Sequence, residues 1–437
     1  MYRETSRLLL YSNLGEDSIL MRLSSVFFDW EHKVCEKTEL VQRIYTEVKR
    51  LLDIATTYGF DTNLWHNYLT FLLISNENSF SLTCEGAGAS EGSVNHFARA
   101  DFRIFRRLFD FDFGPIEADL GIDCFSVLGN YHAIPKRAQM YYRNVSEKVR
   151  SLSAAIEQSK DENEIFKLIT DHYRDHGVGM FGLNRAFRIR SVNNEPEFCA
   201  INNIDSVTLD DLIGYEYQKA ELRTNVEAFV SGKGCNNMLL YGDAGTGKST
   251  SVKAILNEYW DQGLRMIEIY KHQFSLLSEV IARVKNRNYR FMIFIDDLSF
   301  DEHEVEYKFL KAVIEGGVET RPDNVLICAT SNRRHLVQET WNDRNDMEFN
   351  GDVHRSDTME EKLSLAARFG CAINYSSPDR RQYHEIVKGI AARCGDLNIS
   401  EDRLIAEANK WEIRHGGVSG RTAQQFINFL SGSTKQE

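Results

Sequence analysis

The chain has 437 residues, of which 42% are hydrophobic and 27% are charged. This length suits two or three domains, and the composition is that of a globular chain, which excludes a disordered or collagen-like protein. The formal net charge is −12 and is shared about equally by the two halves, so neither half is a basic module that holds nucleic acid by bulk charge. A local basic patch is still compatible with these numbers.

The eight cysteines are scattered, without a Cys-x-x-Cys pair or a Cys/His cluster. This distribution excludes a zinc knuckle and predicts no disulfide framework, which favours a reducing compartment. No apolar run approaches the ~20 residues that span a bilayer, and the N-terminus lacks the profile of a signal peptide. We therefore expect a soluble, cytoplasmic protein without membrane partners.

The first part of the chain, residues 1–195, is predicted to be a mainly helical domain. Apolar residues between positions 40 and 55 recur at three- and four-residue spacing, which buries one face of a helix, and the pattern returns at 149–156 and 165–173. The glycine-rich stretch 86–92 has the wrong spacing for a dinucleotide fingerprint and is interpreted as a loop. No catalytic constellation is recognisable here, so by elimination we interpret the domain as an adaptor that selects a protein partner.

Four arginines share one face of a predicted helix in this domain, and three phenylalanines occupy another face. They are Arg99, Arg103, Arg106 and Arg107, and Phe102, Phe105 and Phe109. Such a face could contact phosphates, with aromatic rings nearby for bases. Three neighbouring aspartates dilute the charge, which favours a simpler interpretation, an amphipathic helix with solvated arginines and core phenylalanines.

A polar stretch around Pro196, residues 191–197, predicts a linker. From residue 206 short apolar runs alternate with helical stretches, which indicates an α/β fold with a parallel sheet. The predicted strands lie at residues 238–241, 266–269, 291–295, 325–329 and 372–375. We expect a core over residues 206–377, a five-stranded parallel sheet with helices on both faces, followed by a helical lid over residues 378–437.

Residues 242–249 match the phosphate-binding pattern G-x-x-x-x-G-K-[ST] in full, between a predicted strand and a predicted helix. Glycines let main-chain N–H groups face the phosphates of a nucleotide, and the helix N-terminus adds positive potential. Lys248 is predicted to neutralise the β- and γ-phosphates, and the Ser249 hydroxyl to ligate Mg²⁺. The predicted contacts to ATP in this loop are Gly242, Asp243, Ala244, Gly245, Thr246, Gly247, Lys248, Ser249 and Thr250.

A second motif is the apolar strand at residues 291–295, which ends in Asp296 and Asp297. Because the carboxyl ends of parallel strands meet at one edge of a sheet, we expect both carboxylates beside the phosphate loop. Asp296 is predicted to hold the magnesium ion through water, and Asp297 to polarise the water that attacks the γ-phosphate.

These residues together resemble an AAA+ ATPase, a member of the superfamily of oligomeric P-loop motors and switches, over about residues 206–437. The sequence is similar to a bacterial ATP-binding family of unknown function, and to the initiator and helicase-loader branch. The resemblance implies that the strand at 325–329 lies between the two motif strands, with Asn332 orienting the attacking water. It also implies that Arg421 faces the nucleotide from the lid, and that Ile213 and Gly214 help to cradle adenine.

The resemblance further implies a homo-oligomer, either a ring or an open assembly. Arg368 matches the position of an arginine finger, which reaches the γ-phosphate bound by a neighbouring subunit. Arg333, Arg334 and Arg355 are rival candidates for this role.

Two departures from the superfamily pattern qualify the expected activity. Asp297 stands where most of these motors carry Glu, and the shorter acid predicts slow hydrolysis. Residues 270–274 lack the aromatic–aliphatic–Gly loop of protein-threading relatives, which argues against an unfoldase. The sequence thus predicts an ATP–Mg²⁺ hydrolase that switches or remodels a macromolecular partner. A nucleotide-gated binding scaffold with negligible hydrolysis and a nucleic-acid or helicase loader are the alternatives.

Overall fold

A computed structural model describes residues 1–134, 143–300, 304, 306–315, 322–332, 336, 365–394, 397 and 399–433. The chain divides into two compact units, Met1–Arg185 and Ala186–Glu437. None of the helices in these described ranges combines the length and the apolar character needed to cross a membrane.

The first unit is built from helices. They are α1 (Tyr2–Thr5), α2 (Ile19–Glu31), α3 (Lys37–Tyr58), α4 (Leu64–Ser75), α5 (Ser79–Cys84), α6 (Val94–Phe109), α7 (Gly114–Leu120), α8 (Cys124–Gly129), α9 (Arg143–Glu157), α10 (Glu162–His176) and α11 (Gly179–Leu183). The three apolar periodicities of the sequence fall on α3, α9 and α10. Their buried faces join one hydrophobic core, which is rich in aromatic rings because α2, α4 and α6 each contribute several.

Helix α6 carries the arginine face, and its phenylalanines are core residues, as the simpler interpretation proposed. Phe102 and Phe105 are fully buried, and Phe109 is nearly so. Each arginine, however, also forms a hydrogen bond within the unit. Arg99 bonds Asn163, and Arg103 bonds Glu162. Arg106 bonds Asp110 and the carbonyls of Ile156 and Glu157, and Arg107 bonds Glu4. The face therefore also connects parts of the unit, while Arg103 and Arg107 remain more than half exposed to solvent.

The second unit contains one sheet of seven strands, β1 (Ala186–Val192), β2 (Glu195–Ala200), β3 (Met238–Gly242), β4 (Leu264–Glu268), β5 (Arg290–Ile295), β6 (Val325–Ser331) and β7 (Cys371–Tyr375). Their order is β2-β1-β4-β5-β6-β3-β7, and every neighbouring pair is parallel except β1 and β2. The five strands predicted from the sequence are β3 to β7. The predicted count of five was wrong, because a hairpin adds two strands at one edge.

This hairpin occupies residues 186–200, so the predicted linker at 191–197 lies within it. Asn193 and Asn194 make its turn with φ angles of 52° and 63°, a left-handed geometry that asparagine tolerates well. Pro196 lies on β2, the edge strand, where a missing N–H donor is least costly. Because much of an edge hairpin faces solvent, its sequence is polar enough to resemble a linker.

Strand β6 lies between β5 and β3, as the AAA+ resemblance implied. Cys328 of β6 is in register with Met238 of β3 on one side and with Phe294 of β5 on the other. Every residue of β6 is buried. The carboxyl ends of these three strands therefore meet at one edge of the sheet.

Helices α12 (Glu216–Val230), α13 (Lys248–Tyr259), α14 (Leu277–Val284) and α15 (Glu306–Glu315) accompany the sheet. Three further helices follow β7: α16 (Arg380–Arg393), α17 (Glu401–Arg414) and α18 (Gly420–Ser433). These three, called the lid below, pack around a small core of their own that includes Tyr383, Leu404 and Phe426. Ile213, from the segment before α12, packs against this lid core.

Candidate functional site

A cavity of about 840 Å³ lies at the carboxyl edge of the sheet, between the loop after β3 and the lid. Its size is within the range typical of small-molecule sites. It is lined by Val207, Asp211, Leu212, Ile213, Tyr215, Ala244, Gly245, Thr246, Gly247, Lys248, Ser249, Thr250, Asp296, Asp297, Thr330, Asn332, Ile386, Ile390, Arg393, Cys394, Gly420, Arg421, Gln424 and Gln425.

The loop between β3 and α13 depends on glycine at its two ends. Gly242 has a φ of 131°, and a methyl group built on it would overlap the carbonyl oxygen of Tyr375. Gly247, with a φ of 93°, caps the N-terminus of α13, and a methyl group there would lie 2.8 Å from Leu212 Cδ2. The main chain can therefore turn back on itself and begin α13 at Lys248, with the helix N-terminus beside the cavity.

Lys248 is buried, with only 6% of its surface exposed. Its Nζ donates to the carbonyl oxygens of Gly242 and Asp243, at 2.9 and 2.7 Å, and to Asn332 Oδ1 at 3.0 Å. Burial lowers the pKa of Lys248, and the nearby carboxylates of Asp243, Asp297 and Asp296 oppose this effect. A buried ammonium group held by neutral acceptors is suited to receive an anion.

Asp296 ends β5 and receives two hydroxyl donors on one oxygen. Ser249 Oγ donates to Asp296 Oδ1 at 2.6 Å, and Thr330 Oγ1 donates to the same atom at 2.5 Å. Among the described residues, no three His, Cys, Asp or Glu side chains gather as a metal site by themselves. A hydroxyl and a carboxylate at the phosphate loop nevertheless fit Mg²⁺, which usually takes one or two protein oxygens together with phosphate oxygens and water.

Asp297 has a left-handed main chain, with a φ of 53°. Its N–H donates to Thr330 Oγ1 at 2.9 Å, and its Oδ1 accepts from Asn332 Nδ2 at 2.8 Å. Strands β5 and β6 are adjacent, so Thr330 and Asn332 can hold this conformation from the neighbouring strand end. Asp and Asn tolerate the left-handed region better than longer residues do.

The other end of the cavity is apolar and joins the core to the lid. Val207, Leu212 and Ile213 approach it from the segment before α12, and Ile386 and Ile390 from α16. Such a surface suits the face of a purine ring. Ile213 lines the cavity as predicted from the resemblance, whereas Gly214 is not among the lining residues.

Tyr215 lies beside this apolar end and connects it to β7. Its ring stacks on Tyr375 with centroids 5.3 Å apart, and its hydroxyl donates to the Ser376 carbonyl at 3.0 Å. Burial raises the pKa of both Tyr215 and Tyr375 to about 12, so both phenols are neutral at physiological pH. The Tyr375 hydroxyl in turn donates to Ser251 Oγ at 3.0 Å, which fixes the first turn of α13.

The lid contacts the phosphate loop at the start of α18. The N–H of Arg421 donates to the Gly245 carbonyl at 3.2 Å, and Arg421 lines the cavity. On the other side of the loop, Ser377 N donates to Asp243 Oδ2 at 2.7 Å. Hydrogen bonds from Ser377 hold the pKa of Asp243 below its usual value. Two positions of the loop, Asp243 and Gly245, are therefore hydrogen-bonded to the region that follows β7.

Arg368 lies away from this cavity and is not among the residues that line it. Its side chain is 28% exposed and forms an ion pair with Glu315, the last residue of α15. A residue that serves a neighbouring subunit need not line its own cavity, so its role stays a prediction. The rival candidates Arg333, Arg334 and Arg355 lie outside the described residues.

The structure brings most of the predicted residues together. Gly242 and Asp243 contribute carbonyls to Lys248, while the remaining loop residues, both acids, Asn332 and Arg421 line the cavity. Sequence reasoning gave no role to Thr330, Arg393, Cys394, Gln424 or Gln425. Thr330 could have been recognised as a site residue, because it is a polar residue near the end of a buried strand. The lid residues carried no motif, because they meet the cavity only through the packing of α16 and α18.

A strand order in which β6 separates the phosphate-loop strand from the acid-bearing strand, with a helical lid over the loop, is the arrangement that the resemblance to AAA+ ATPases implied. The sequence profile of the family described as "Protein of unknown function (DUF815)" matches residues 183–434, and the chain belongs to this family.

No curated protein matches the chain. Among solved structures, a mutant of RuvB from Thermotoga maritima is similar with a TM-score of 0.37 and 17% identity, and the match covers 52% of this chain and 66% of that one. The chain thus spans slightly less than two thirds of the length of that protein.

Proposed function

We propose that this protein binds and hydrolyses ATP–Mg²⁺ in the cavity at the carboxyl edge of the sheet, and so switches or remodels a macromolecular partner. One observation carries this proposal. The buried ammonium of Lys248 lies within hydrogen-bond distance of Asn332, which also bonds Asp297. A cation, a carboxylate and an amide are the groups required to hold a triphosphate and orient water beside it.

Binding follows from the loop and its lysine. Main-chain N–H groups of residues 244–249 surround the phosphates, and Lys248 exchanges its carbonyl acceptors for phosphate oxygens. Ser249 and Asp296 hold the magnesium ion, which neutralises phosphate charge when it is bound. The apolar end formed by Leu212, Ile213 and the lid isoleucines accepts the base.

Hydrolysis depends on the pair Asp297 and Asn332. The Asp297 carboxylate accepts a hydrogen bond from the attacking water, and Asn332 orients both this carboxylate and the water. Arg421 from the lid, and Arg368 from a neighbouring subunit, add positive charge where the transition state gathers negative charge. Full activity therefore requires a homo-oligomer, and the helical first unit is the part that binds a partner protein.

Steady-state phosphate release, together with equilibrium binding of ATP–Mg²⁺, tests this function. Lys248→Ala should abolish both binding and turnover. Arg368→Ala should leave binding intact and remove turnover, with Arg381→Ala on the exposed side of α16 as a matched control for loss of an arginine. Size-exclusion chromatography with and without ATP tests assembly. Normal hydrolysis by Arg368→Ala would exclude it as the finger.

A second candidate is a nucleotide-gated binding scaffold with negligible hydrolysis, which the short acid at Asp297 favours. Asp297→Glu should raise turnover if the length of the acid limits hydrolysis. Because the left-handed main chain disfavours Glu, the thermal stability of the variant must be measured beside its turnover. Absence of hydrolysis at every protein concentration would support the scaffold.

A nucleic-acid loader is the third candidate. It is the least favoured, because the α6 arginines that could contact phosphates already form hydrogen bonds with other residues of the first unit. Arg103, for example, is committed to Glu162 through two guanidinium nitrogens. Salt-sensitive binding of single-stranded DNA, weakened by Arg103→Ala, would support this function. Lack of binding at low salt would exclude it.

A further inference from the structure

Arg393, the last residue of lid helix α16, contacts the segment that precedes α12. Its Nη1 donates to the Asp211 carbonyl at 2.7 Å, and its Nη2 donates to the Asp210 carbonyl at 2.6 Å. The same guanidinium lies 3.2 Å from Asp211 Oδ1. A planar guanidinium can satisfy two adjacent carbonyls at once, whereas an ammonium group acts as a single point charge.

The contacted segment is anchored to the core on its other side. Asn257 of α13 donates to the carbonyls of Asp205 and Val207, at 2.7 and 2.9 Å. Leu209 and Leu212 are buried in the core beneath the sheet helices. Thus the segment is fixed to the core up to Leu212, and Asp210, Asp211 and Ile213 in addition contact the lid.

Ile213 makes the second contact with the lid. Its side chain occupies the space above Gly389 of α16, where a methyl group on Gly389 would overlap Ile213 Cδ1. One helical turn separates Gly389 from Arg393, so the same stretch of α16 receives Ile213 and holds the carbonyls of residues 210 and 211. We call this pair of contacts the clasp, formed by Arg393, Gly389, Ile213 and the two carbonyls.

The clasp lies at the apolar end of the cavity. Leu212 and Ile213 line that end, and Leu212 also approaches Gly247 of the phosphate loop. Without the clasp, the lid could separate from residues 210–213 and the apolar surface would lose one wall. The phosphate loop and Lys248 belong to β3 and α13, and their hydrogen bonds do not involve Arg393.

We propose that Arg393 is a positioning residue that holds the lid to residues 210–213 and thereby shapes the base-binding end of the cavity. This inference rests on the proposed nucleotide binding. The nucleoside and the phosphates of the ligand are then recognised by different parts of the site. Recognition of the nucleoside requires the clasp, and recognition of the phosphates requires the loop alone.

The experiment compares two probes on the full-length chain: ATP–Mg²⁺ and inorganic tripolyphosphate–Mg²⁺, which has phosphates but no nucleoside. Arg393→Ala should weaken ATP binding about tenfold, because bonds to a charged donor are lost, and should change tripolyphosphate binding less than about twofold. Arg393→Lys should restore only part of the ATP affinity. Arg381→Ala, on the same helix, should bind both probes as the wild type does.

Gly389→Ala provides an independent variant, since it displaces Ile213 without removing a charge. It should show the same selective loss of ATP affinity, even if Arg393→Ala proved too unstable to measure. Unchanged ATP affinity in both variants would overturn the inference. So would an equal loss for both probes, because Arg393 would then act on the phosphates. A wild-type protein that bound neither probe would instead overturn the proposed function, and the clasp with it.

Discussion

The side-chain amide of Asn332 donates to Asp297 Oδ1 at 2.8 Å, and its oxygen accepts from Lys248 at 3.0 Å. One neutral side chain thus separates the buried cation from the carboxylate while bonding both. This arrangement links Asp297 to Lys248 through the amide of Asn332. In the proposed function, the amide would connect the residue that binds phosphate with the residue that orients water.

Replacing Asn332 should separate hydrolysis from binding. Asn332→Ala removes the donor to Asp297, and we expect turnover to fall about 100-fold, the usual effect of losing one oriented hydrogen bond in a transition state. ATP affinity should change only a few-fold, since the phosphate loop and the Lys248 ammonium, which receive the phosphates in the proposed function, are both retained. Phosphate release and equilibrium binding would be measured on the same preparation. Near-normal turnover would show that Asn332 is only a structural residue at the strand end.

A side chain at Gly247 should impair nucleotide binding because of its contact with Leu212. Comparison with a second glycine of similar φ separates this effect from backbone strain. Gly247 and Gly263 have nearly the same left-handed φ, 93° and 95°. A methyl group at Gly247 would press on Leu212, whereas nothing lies within 4 Å of one at Gly263. Each substitution to Ala should cost about 1–2 kcal/mol of unfolding free energy from backbone strain.

Only Gly247→Ala should also lose nucleotide binding, by more than about tenfold, because the added contact with Leu212 displaces the start of α13. Denaturant unfolding and ATP titration of both variants would test this pair. Equal ATP affinity of the two variants would mean that the loop does not hold the phosphates in this geometry.

The order and bounds of the inner strands were predictable because each is a short buried run between helices. β3 to β7 each start and end within two residues of the predicted limits. Edge hairpin β1–β2 was missed, although residues 187–190 alternate between buried and exposed positions, because the polar stretch that follows them was interpreted as a linker. Its two asparagines with positive φ are a turn signal that a polar linker also carries. Local composition thus located buried strands and failed where exposure made strand and linker alike.

Motif residues of the site were predictable for a similar reason: the phosphate loop is continuous in sequence, and Asp296 and Asn332 follow buried strands. Thr330 and Arg393 could not be assigned in this way. Thr330 bonds Asp296 only because β6 lies beside β5, and Arg393 reaches the carbonyl of Asp210 only because the lid folds back. Contacts between distant parts of a chain depend on packing, which leaves no local pattern.

Lowering the pH should weaken the hydrogen bond between Asp243 of the phosphate loop and Ser377 of the segment after β7. The pKa of Asp243 is lowered by hydrogen bonds from Ser377, so the ionised form stabilises the native state. This contribution is fully present above the ordinary carboxyl pKa of about 4 and is lost as the pH falls through the lower native value.

The difference in unfolding free energy between the wild type and Asp243→Asn should therefore be largest near neutral pH and should shrink toward pH 3. Denaturant unfolding at a series of pH values would measure it. Asp261→Asn, at an exposed aspartate of the same unit, is the matched control for loss of an aspartate. A constant difference for Asp243→Asn across this range would mean that its charge is not what ties the loop.

The arginine face of α6 should act on the stability of the first unit. Arg106 is 25% exposed and donates to the carbonyls of Ile156 and Glu157, at 3.0 and 3.2 Å, so it holds the end of α9. Removing it leaves these acceptors without their charged donor, and Arg106→Ala should cost about 2 kcal/mol of unfolding free energy.

Arg103 is 56% exposed and pairs with Glu162 at the surface, so Arg103→Ala should cost less than about 1 kcal/mol. Denaturant unfolding followed by a signal from the first unit would compare them. If both variants unfolded like the wild type, these arginines would be free to serve a ligand, and the loader function would regain support.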